Sequence, residues 1–257
     1  MDFLTLEHCL VIFPLVFLAG FVDAVAGGGG LISLPGYFIA GLPPHLALGT
    51  NKLSSLMGTS LTTFMLARRG LVRFKSSALL IAAAFAGSFI GARIAMVLSG
   101  RAVEAAMLVV LPAILAYLLL RPRALAGAAD AAPRALQTQI LCVLISLCVG
   151  VYDGMFGPGT GTFLILAFTG IAHLPLGLAN GSAKAVNLAT NIAAFTAFAR
   201  GGSVLPALGL AAGFFGIAGN FLGTRSFMKG GARIARPVMI IVMAVFLCRV
   251  IWDLLIK

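Results

Sequence analysis

The chain has 257 residues, of which 61% are hydrophobic and 10% are charged, and its mean hydropathy is +1.10. Such a composition excludes a soluble globular domain, whose surface needs many more polar side chains. The formal charge of +11 would point to a nucleic-acid partner in a soluble protein, but most of the cations lie between apolar runs, as in membrane proteins. We therefore predict an all-α, polytopic membrane protein that contacts lipid and binds no nucleic acid.

The first half of the chain is predicted to contain five helical segments, at residues 10–26, 31–40, 45–67, 76–99 and 102–120. Between the first two lie four consecutive glycines, Gly27 to Gly30, which open the helix and expose backbone N–H and C=O groups. The second segment is about half as long as the roughly 20 residues that a membrane-spanning helix needs. The third is rich in Ser, Thr and Asn, so it is expected to face protein or water rather than lipid.

The second half repeats this plan, with helical segments predicted at 137–156, 162–172, 174–199, 203–226 and 237–256. A second glycine-rich break, Gly157 to Gly161, separates the first two. Three charged residues recur in register: Asp23 with Asp153 (153 − 23 = 130), Lys52 with Lys184 (184 − 52 = 132), and Arg93 with Arg225 (225 − 93 = 132). We therefore predict two homologous repeats, at 1–120 and 137–257, joined by a linker at 121–136.

The orientation of the repeats depends on whether each crosses the membrane an odd or an even number of times. An odd number leaves ten loop cations on one side and three on the other, namely Arg101, Arg200 and Lys257. An even number places nine loop cations on one side and four on the other, and it puts the whole basic segment from Lys229 to Arg236 outside the cytoplasm. Because Lys and Arg accumulate in cytoplasmic loops, we favour inverted repeats, each with a glycine-broken helix and a short half-helix. Parallel repeats of four plus four helices are the alternative.

Charged side chains inside apolar helices must face protein or a cavity, because facing lipid would cost several kcal/mol. Lys52 and Lys184 lie in the polar helices and are compact positive charges suited to an oxyanion. The alternatives for both are snorkelling to an interface or a fixed salt bridge to Asp23 or Asp153. The two aspartates are predicted either to carry a coupling proton or to hold the lysines in place.

Arg93 and Arg225 each follow a G-x-x-x-G pattern, Gly87–Gly91 and Gly219–Gly223, which favours close packing of helices. We predict the two arginines as coupling or ion-pair residues. The alternative is an anchor at the end of a helix, where a long side chain reaches the membrane surface easily.

The glycine breaks are predicted to supply the backbone part of an anion site. A half-helix that begins after each break would direct its N-terminal partial positive charge at an anion, and paired breaks indicate a site near the midplane. With the two lysines, the predicted substrate-binding residues are Gly28, Gly29, Gly30, Asn51, Gly159, Thr160, Gly161, Asn187 and Asn191. The second break, G-P-G-T-G-T, lacks the G-K-[ST] ending of a nucleotide-binding loop.

An enzyme is not expected from this sequence. It contains no H-E-x-x-H or G-x-S-x-G motif and only seven acidic residues, so paired catalytic carboxylates are not indicated. The four cysteines lie in apolar runs without C-x-x-C spacing, which does not indicate a metal site. We expect no cofactor.

Three motifs, each present twice, resemble those of the sulfite exporter TauE/SafE family, also called the toluene sulfonate uptake permease family. They are the glycine break after an acid, the corner G-T-N-K or G-S-A-K, and the helix motif G-x-x-x-G-x-R, in the same order in both halves. The resemblance maps the site onto the first break with Lys52 and the second break with Lys184. The corners differ, since Asn51 is replaced by Ala183 in the second half, so the two sites are not expected to be equivalent.

The resemblance implies a multi-pass permease of the bacterial inner membrane for small sulfur oxyanions or organosulfonates such as sulfite and sulfoacetate. It also implies about eight helices in two similar halves, an even count per half that conflicts with the inverted orientation favoured above. We predict a secondary transporter that works by alternating access and is coupled to a proton or a sodium ion. An anion channel and a non-transporting membrane scaffold are the alternatives, and a homodimer is compatible with the sequence.

Overall fold

The computed structural model describes residues 5–72, 74–99, 102, 135–230, 233, 234 and 237. Within these residues the chain is all-helical, without a β-strand, which confirms the predicted fold class. The helices are α1 (Leu6–Ala26), α2 (Gly30–Ile39), α3 (Pro44–Ala67), α4 (Phe74–Val97), α5 (Ala135–Met155), α6 (Thr160–Gly170), α7 (Leu176–Arg200) and α8 (Pro206–Gly230).

These helices match the eight segments predicted within the described residues, with ends that shift by a few positions. Helix α1 begins at Leu6 rather than at residue 10, because the Thr5 hydroxyl accepts a hydrogen bond from the His8 N–H at 3.5 Å and caps the helix. Helix α8 begins at Pro206 rather than at residue 203, because proline fits the first turn of a helix, where no N–H donor is needed. The predicted helices at 102–120 and 237–256 and the linker at 121–136 lie almost entirely outside the described residues.

Both glycine breaks take the predicted form of a helix end followed by a short helix. Gly27 ends α1 with a φ of 80° and donates its N–H to the Asp23 carbonyl oxygen, and α2 begins three residues later. Gly159 precedes α6 with a φ of 79°. This left-handed conformation is available to glycine without steric cost. The short helices α2 and α6 have 10 and 11 residues, about half of what a full membrane span needs.

The G-x-x-x-G patterns bring long helices into backbone contact, as predicted. A Cβ atom added to Gly87 or Gly91 of α4 would lie less than 3.0 Å from the carbonyl oxygen of Leu147 or Val151 of α5. The second contact lies four residues further along both helices than the first, so α4 and α5 run parallel. Packing at this distance excludes any larger side chain at the two glycines.

The second pattern makes the equivalent contact on the other side of the molecule. Gly219 and Gly223 of α8 lie directly against the carbonyl oxygens of Phe17 and Phe21 of α1. Helices α1 and α8 therefore also run parallel. Each of these helix pairs joins the first half of the chain to the second, so the halves are interleaved rather than side by side.

The polar helices α3 and α7 cross at the centre of the molecule. In α3, Lys52 contacts Asn191 of α7, whereas Thr63, eleven residues later, donates to the carbonyl oxygen of Lys184. Residue numbers thus rise along α3 while those of the contacted residues fall along α7, so the two helices are antiparallel.

Each polar helix runs parallel to one long helix of the other half. Leu53 and Met57 of α3 contact Gly209 and Gly213 of α8. Ser88 of α4 donates to the Thr190 carbonyl of α7 at 2.8 Å, and Met96 contacts Gly201 directly after α7. Helices α1, α3 and α8 consequently run in one direction, and α4, α5 and α7 run in the opposite direction.

Among the residues that the structure describes, four helices are long and apolar enough to cross a membrane, over Leu6–Ala26, Ser77–Val97, Leu136–Met155 and Pro206–Gly230. They present many large apolar side chains on the outside, including Phe214 at 67% exposure and Val97 at 88%. In water such a surface would be unfavourable, but it matches a hydrocarbon environment. The central helices α3 and α7 instead bury polar side chains along much of their length.

Candidate functional site

The two glycine breaks meet at the centre of the molecule. An added Cβ atom on Gly27 would overlap the backbone of Gly161, and one on Gly161 would lie 2.6 Å from the Gly27 Cα atom. The Thr162 N–H donates to the Gly27 carbonyl oxygen at 3.2 Å, and its hydroxyl donates to the Ala26 carbonyl oxygen at 2.8 Å. These bonds satisfy carbonyl groups at the end of α1 that have no partner inside the helix.

Lys52 projects from α3 into this junction and forms a buried ion pair with Asp153 of α5. The Nζ atom lies 2.7 Å from Asp153 Oδ2, and the two side chains are 3% and 2% exposed. Asn191 Oδ1 accepts a second hydrogen bond from the ammonium at 3.4 Å. The other carboxylate oxygen, Oδ1, lies 2.6 Å from the Thr160 hydroxyl, which shares its one proton between this oxygen and the Gly157 carbonyl oxygen at 2.7 Å.

Lys184 of α7 forms the equivalent pair with Asp23 of α1. Its Nζ atom lies 2.8 Å from Asp23 Oδ2, with side-chain exposures of 0% for the lysine and 14% for the aspartate. The ammonium also donates to the main-chain carbonyl oxygen of Asp23, the same oxygen that accepts from Gly27 at the end of α1. Lys184 is therefore tied to the broken end of that helix.

The two ion pairs cross between the halves of the chain. The sequence left open whether Asp23 or Asp153 is the partner of Lys52, and the structure pairs Lys52 with Asp153, 101 residues away, while Asp23 is paired with Lys184. Breaking either pair would leave an uncompensated charge in a buried position. The pairs consequently fix the two halves to each other at the glycine breaks.

A small cavity lies against the Lys52–Asp153 pair, between the glycine breaks, α1, α3 and α8. The cavity is partly open and has a volume of about 40 Å³, enough for a few water molecules. Its lining consists of small and polar groups: Val16, Ala19, Gly20, Asp23, Gly27, Gly29, Gly30, Ser33, Asn51, Lys52, Ser54, Ser55, Thr59, Asp153, Gly157, Thr160, Gly161, Asn187, Asn191, Gly216 and Asn220.

Several hydrogen-bonding groups around the cavity have spare capacity. The N–H groups of Gly29 and Gly30 make no hydrogen bond to another described residue, as expected for the first turn of a helix such as α2. Asn51 is 3% exposed, yet its Oδ1 atom has no partner within the described part of the chain. A buried amide without a partner is uncommon and is consistent with a ligand or a second conformation.

The structure brings together most of the predicted site residues but not all of them. Gly29, Gly30, Asn51, Lys52, Asp23, Asp153, Thr160, Gly161, Asn187 and Asn191 line the cavity. Gly28 and Gly159 are buried within the two breaks, and Lys184 lies behind the cavity wall in its pair with Asp23.

Arg93 and Arg225 lie away from the cavity, on the outer surface of α4 and α8. Their guanidinium groups are 5.8 Å from the ring centre of Phe89 and 4.2 Å from that of Phe221, respectively. Each arginine thus stacks over an aromatic ring one helical turn earlier, a cation–π contact. This position agrees with the helix-end anchor that was the alternative for both.

Ser33 and Asn220 also line the cavity and were not among the predicted site residues. Asn220 accepts from the Thr62 hydroxyl at 2.8 Å and donates to the Gly216 carbonyl oxygen at 2.9 Å. The signal for Asn220 was present, because it follows Gly219 directly inside an apolar helix, and an amide there must face protein. Ser33 stands alone in a short apolar segment and gave no comparable signal.

The chain is similar throughout to a known group of membrane proteins. A sequence model for the sulfite exporter TauE/SafE family matches residues 12–250. A "Probable membrane transporter protein ORF9" from Sinorhizobium sp. is 37% identical over 242 residues, which cover 94% of this chain and 92% of that protein.

Two further relatives are described in similar words. The "Probable membrane transporter protein YfcA" of Escherichia coli K12 is 34% identical over 95% of this chain and 89% of its own length. A "Probable membrane transporter protein" of Haemophilus influenzae is 32% identical over 95% and 94%, respectively. No solved structure shows a significant match.

Proposed function

The chain belongs to the sulfite exporter TauE/SafE family of membrane transporters, and from this premise we propose that it is a secondary transporter of a small anion. The proposed substrate class is a sulfur oxyanion or an organosulfonate, such as sulfite or sulfoacetate. The proposed location is the bacterial inner membrane.

One observation carries the proposal, the cavity at the junction of the two breaks with the Lys52 ammonium in its wall. Its donors are the ammonium, the free N–H groups at the start of α2, and the hydroxyl and amide groups of α3 and α7. Such a set suits an oxyanion, which only accepts hydrogen bonds. The N-terminal end of α2 adds a partial positive charge.

The size of the cavity favours the smaller members of this substrate class. A volume of about 40 Å³ accommodates a compact inorganic oxyanion more readily than a sulfonate that carries a second acidic group. A longer substrate would require the cavity to widen before binding.

We further propose that the halves form an inverted repeat that moves the anion by alternating access. Three features support this proposal: the opposite directions of α3 and α7, the equivalent contacts α1–α8 and α4–α5, and the crossed ion pairs. The cavity is lined by both residues of the Lys52 pair but only by Asp23 of the Lys184 pair. In the opposite-facing state, the roles of the two pairs would be exchanged.

Transport in proteoliposomes tests the proposal. Labelled sulfite and methanesulfonate should enter vesicles that contain the full chain, and unlabelled anion inside the vesicles should accelerate this entry by counterflow. Lys52→Gln should lower the initial rate at least tenfold, because it removes the charge at the cavity. Lys229→Gln is the matched control, since Lys229 is exposed near the end of α8, and it should leave the rate unchanged.

Three results would contradict the proposal. They are equal rates for Lys52→Gln and the control, an absence of flux for every sulfur oxyanion and sulfonate, and flux without counterflow. The last of these would indicate a channel, which has no obligatory alternation between states.

A further inference from the structure

We propose that Asp153 takes up one proton for each anion that binds at Lys52, so that the anion and the proton cross the membrane together. This inference rests on the proposed anion site and adds the coupling ion, the residue that carries it and the stoichiometry. It follows from the charges at the junction, the position of the cavity and the space within it.

The charges buried at the junction add up to zero before an anion arrives. Lys52 and Lys184 contribute two positive charges, and Asp23 and Asp153 contribute two negative charges, all held in ion pairs. A monoanion would add an uncompensated negative charge to a site where the side chains of the Lys52 pair are no more than 3% exposed. Net charge in such a position is expensive, so binding favours the entry of one positive charge.

The group that loses its partner is Asp153. The cavity lies at the Lys52 ammonium, and an anion there accepts the N–H bond that now goes to Asp153 Oδ2 at 2.7 Å. The carboxylate then keeps only the Thr160 hydroxyl at Oδ1. A proton from water that binds to Oδ2 neutralises Asp153, and its release on the other side lets the pair with Lys52 form again.

Asp23 does not occupy the same position in the cycle. It also borders the cavity, but its lysine does not, so an anion at Lys52 leaves the Lys184–Asp23 pair intact. Lys184 is additionally held by the main-chain oxygen of Asp23. Asp23 therefore keeps its counter-charge while Asp153 loses its own.

No other described charged group compensates Asp153. The charged groups that face it are Lys52 from α3 and, beyond it, the Lys184–Asp23 pair between α7 and α1. Tyr152 is its neighbour in α5, and the Tyr152 hydroxyl donates to the Pro158 carbonyl oxygen at 2.5 Å. Helix α6 contains no charged residue, and Arg93 of α4 is exposed on the outer surface.

A proton fits the available space better than a metal cation does. The cavity has a volume of about 40 Å³, enough for a few water molecules, and one small anion would occupy much of this space. A sodium ion would need room of its own and oxygen ligands around it, whereas a proton on Oδ2 adds no volume.

Calorimetry on the full chain in detergent tests the inference. Methanesulfonate is the probe, because it stays ionised across the accessible pH range and its own protonation does not contribute. Titration in two buffers with different ionisation enthalpies gives the number of protons taken up per bound anion. We expect one proton for the wild type and for the control Glu7→Gln, because the Glu7 side chain is exposed at the start of α1, far from the junction. We expect none for Asp153→Asn, which removes the proton-carrying carboxylate.

A second measurement keeps the test decisive if Asp153→Asn does not fold. Proteoliposomes that contain the wild type are given an inward methanesulfonate gradient in sodium-free buffer, and an entrapped dye reports the pH of the lumen. We expect the lumen to acidify, because each anion enters together with one proton.

Several outcomes would overturn the inference while the anion site stands. They are binding without proton uptake in the wild type, binding that requires sodium, uptake of one proton by folded Asp153→Asn, and no acidification of the vesicle lumen. An absence of binding by both methanesulfonate and sulfite would contradict the proposed function itself.

Discussion

At the scale of single residues, the central feature is a set of four charges paired across the two halves, three of them buried and Asp23 partly buried. Lys52 and Lys184 are fully or almost fully buried, and each is within 2.8 Å of a carboxylate oxygen. Buried ion pairs contribute little net stability, but removing one member is costly. The pairs thus determine which arrangement of the halves is allowed more than how stable that arrangement is.

Lys184 provides the clearest stability test, because it does not line the cavity. We expect Lys184→Met to lower the free energy of unfolding in detergent by about 3–5 kcal/mol, since Asp23 is left without its counter-charge. Adding Asp23→Asn should restore much of this loss by removing that charge. Denaturant titration measures both effects. Lys229→Met is the exposed control and should change the free energy of unfolding by less than about 0.5 kcal/mol. A double variant no more stable than Lys184→Met would refute the pairing argument.

At the scale of helices, close approach of backbones decides the architecture. Glycines allow α1 to meet α8, α4 to meet α5, and the two breaks to touch each other. Because no side chain separates these backbones, their geometry tolerates almost no added volume. The positions of the ion pairs depend on these contacts.

The contact between the breaks is tested by Gly27→Ala. An added Cβ atom would overlap the Gly161 backbone, and Gly27 also has a φ of +80°. Gly41→Ala is a matched control, because Gly41 has a φ of +76° but no atom within 4 Å of an added Cβ. The control should cost about 1–2 kcal/mol from backbone strain, whereas Gly27→Ala should cost several kcal/mol more or prevent folding. Similar thermal stabilities in detergent for the two variants would contradict this view of the junction.

Much of the helical organisation could be predicted from the sequence, because apolar runs and glycine breaks are local signals. The eight described helices and the in-register charges were predicted from such signals. The partner of each lysine could not be predicted, since Asp23 and Asp153 precede equivalent glycine breaks and only the three-dimensional path distinguishes them. The side on which the cavity opens could not be predicted either, because it depends on the conformation and the same three motifs occur in both halves.

At the scale of the whole molecule, the helix contacts are nearly symmetric between the two halves, but the position of the cavity is not. The main contacts between helices form equivalent pairs, such as α1–α8 with α4–α5 and α3–α8 with α4–α7. The cavity nevertheless lies on the side of α1, α3 and α8. A difference between symmetric packing and an asymmetric opening is what the proposed alternation between two states would require.

Cysteine accessibility tests this alternation. Ala19 lines the cavity, and Val149 occupies the equivalent position of the second half (149 − 19 = 130), where it packs against a buried apolar cluster. In a background without the four native cysteines, Ala19→Cys and Val149→Cys should react with a membrane-impermeant maleimide from opposite sides. Sulfite should slow labelling of Ala19→Cys at least threefold. Labelling of both variants from the same side would exclude the inverted arrangement.

The crossed ion pairs also have a consequence for how the protein is made. When Lys52 enters the membrane, its partner Asp153 is still 101 residues from being synthesised, which takes roughly 5–20 s at usual translation rates. During this interval the first half holds an unmatched acid and an unmatched base within the bilayer. We expect that half to remain with the insertion machinery, shielded from lipid, until the later segments arrive. On this expectation, the same charges that pair in the finished protein would delay its release during biogenesis.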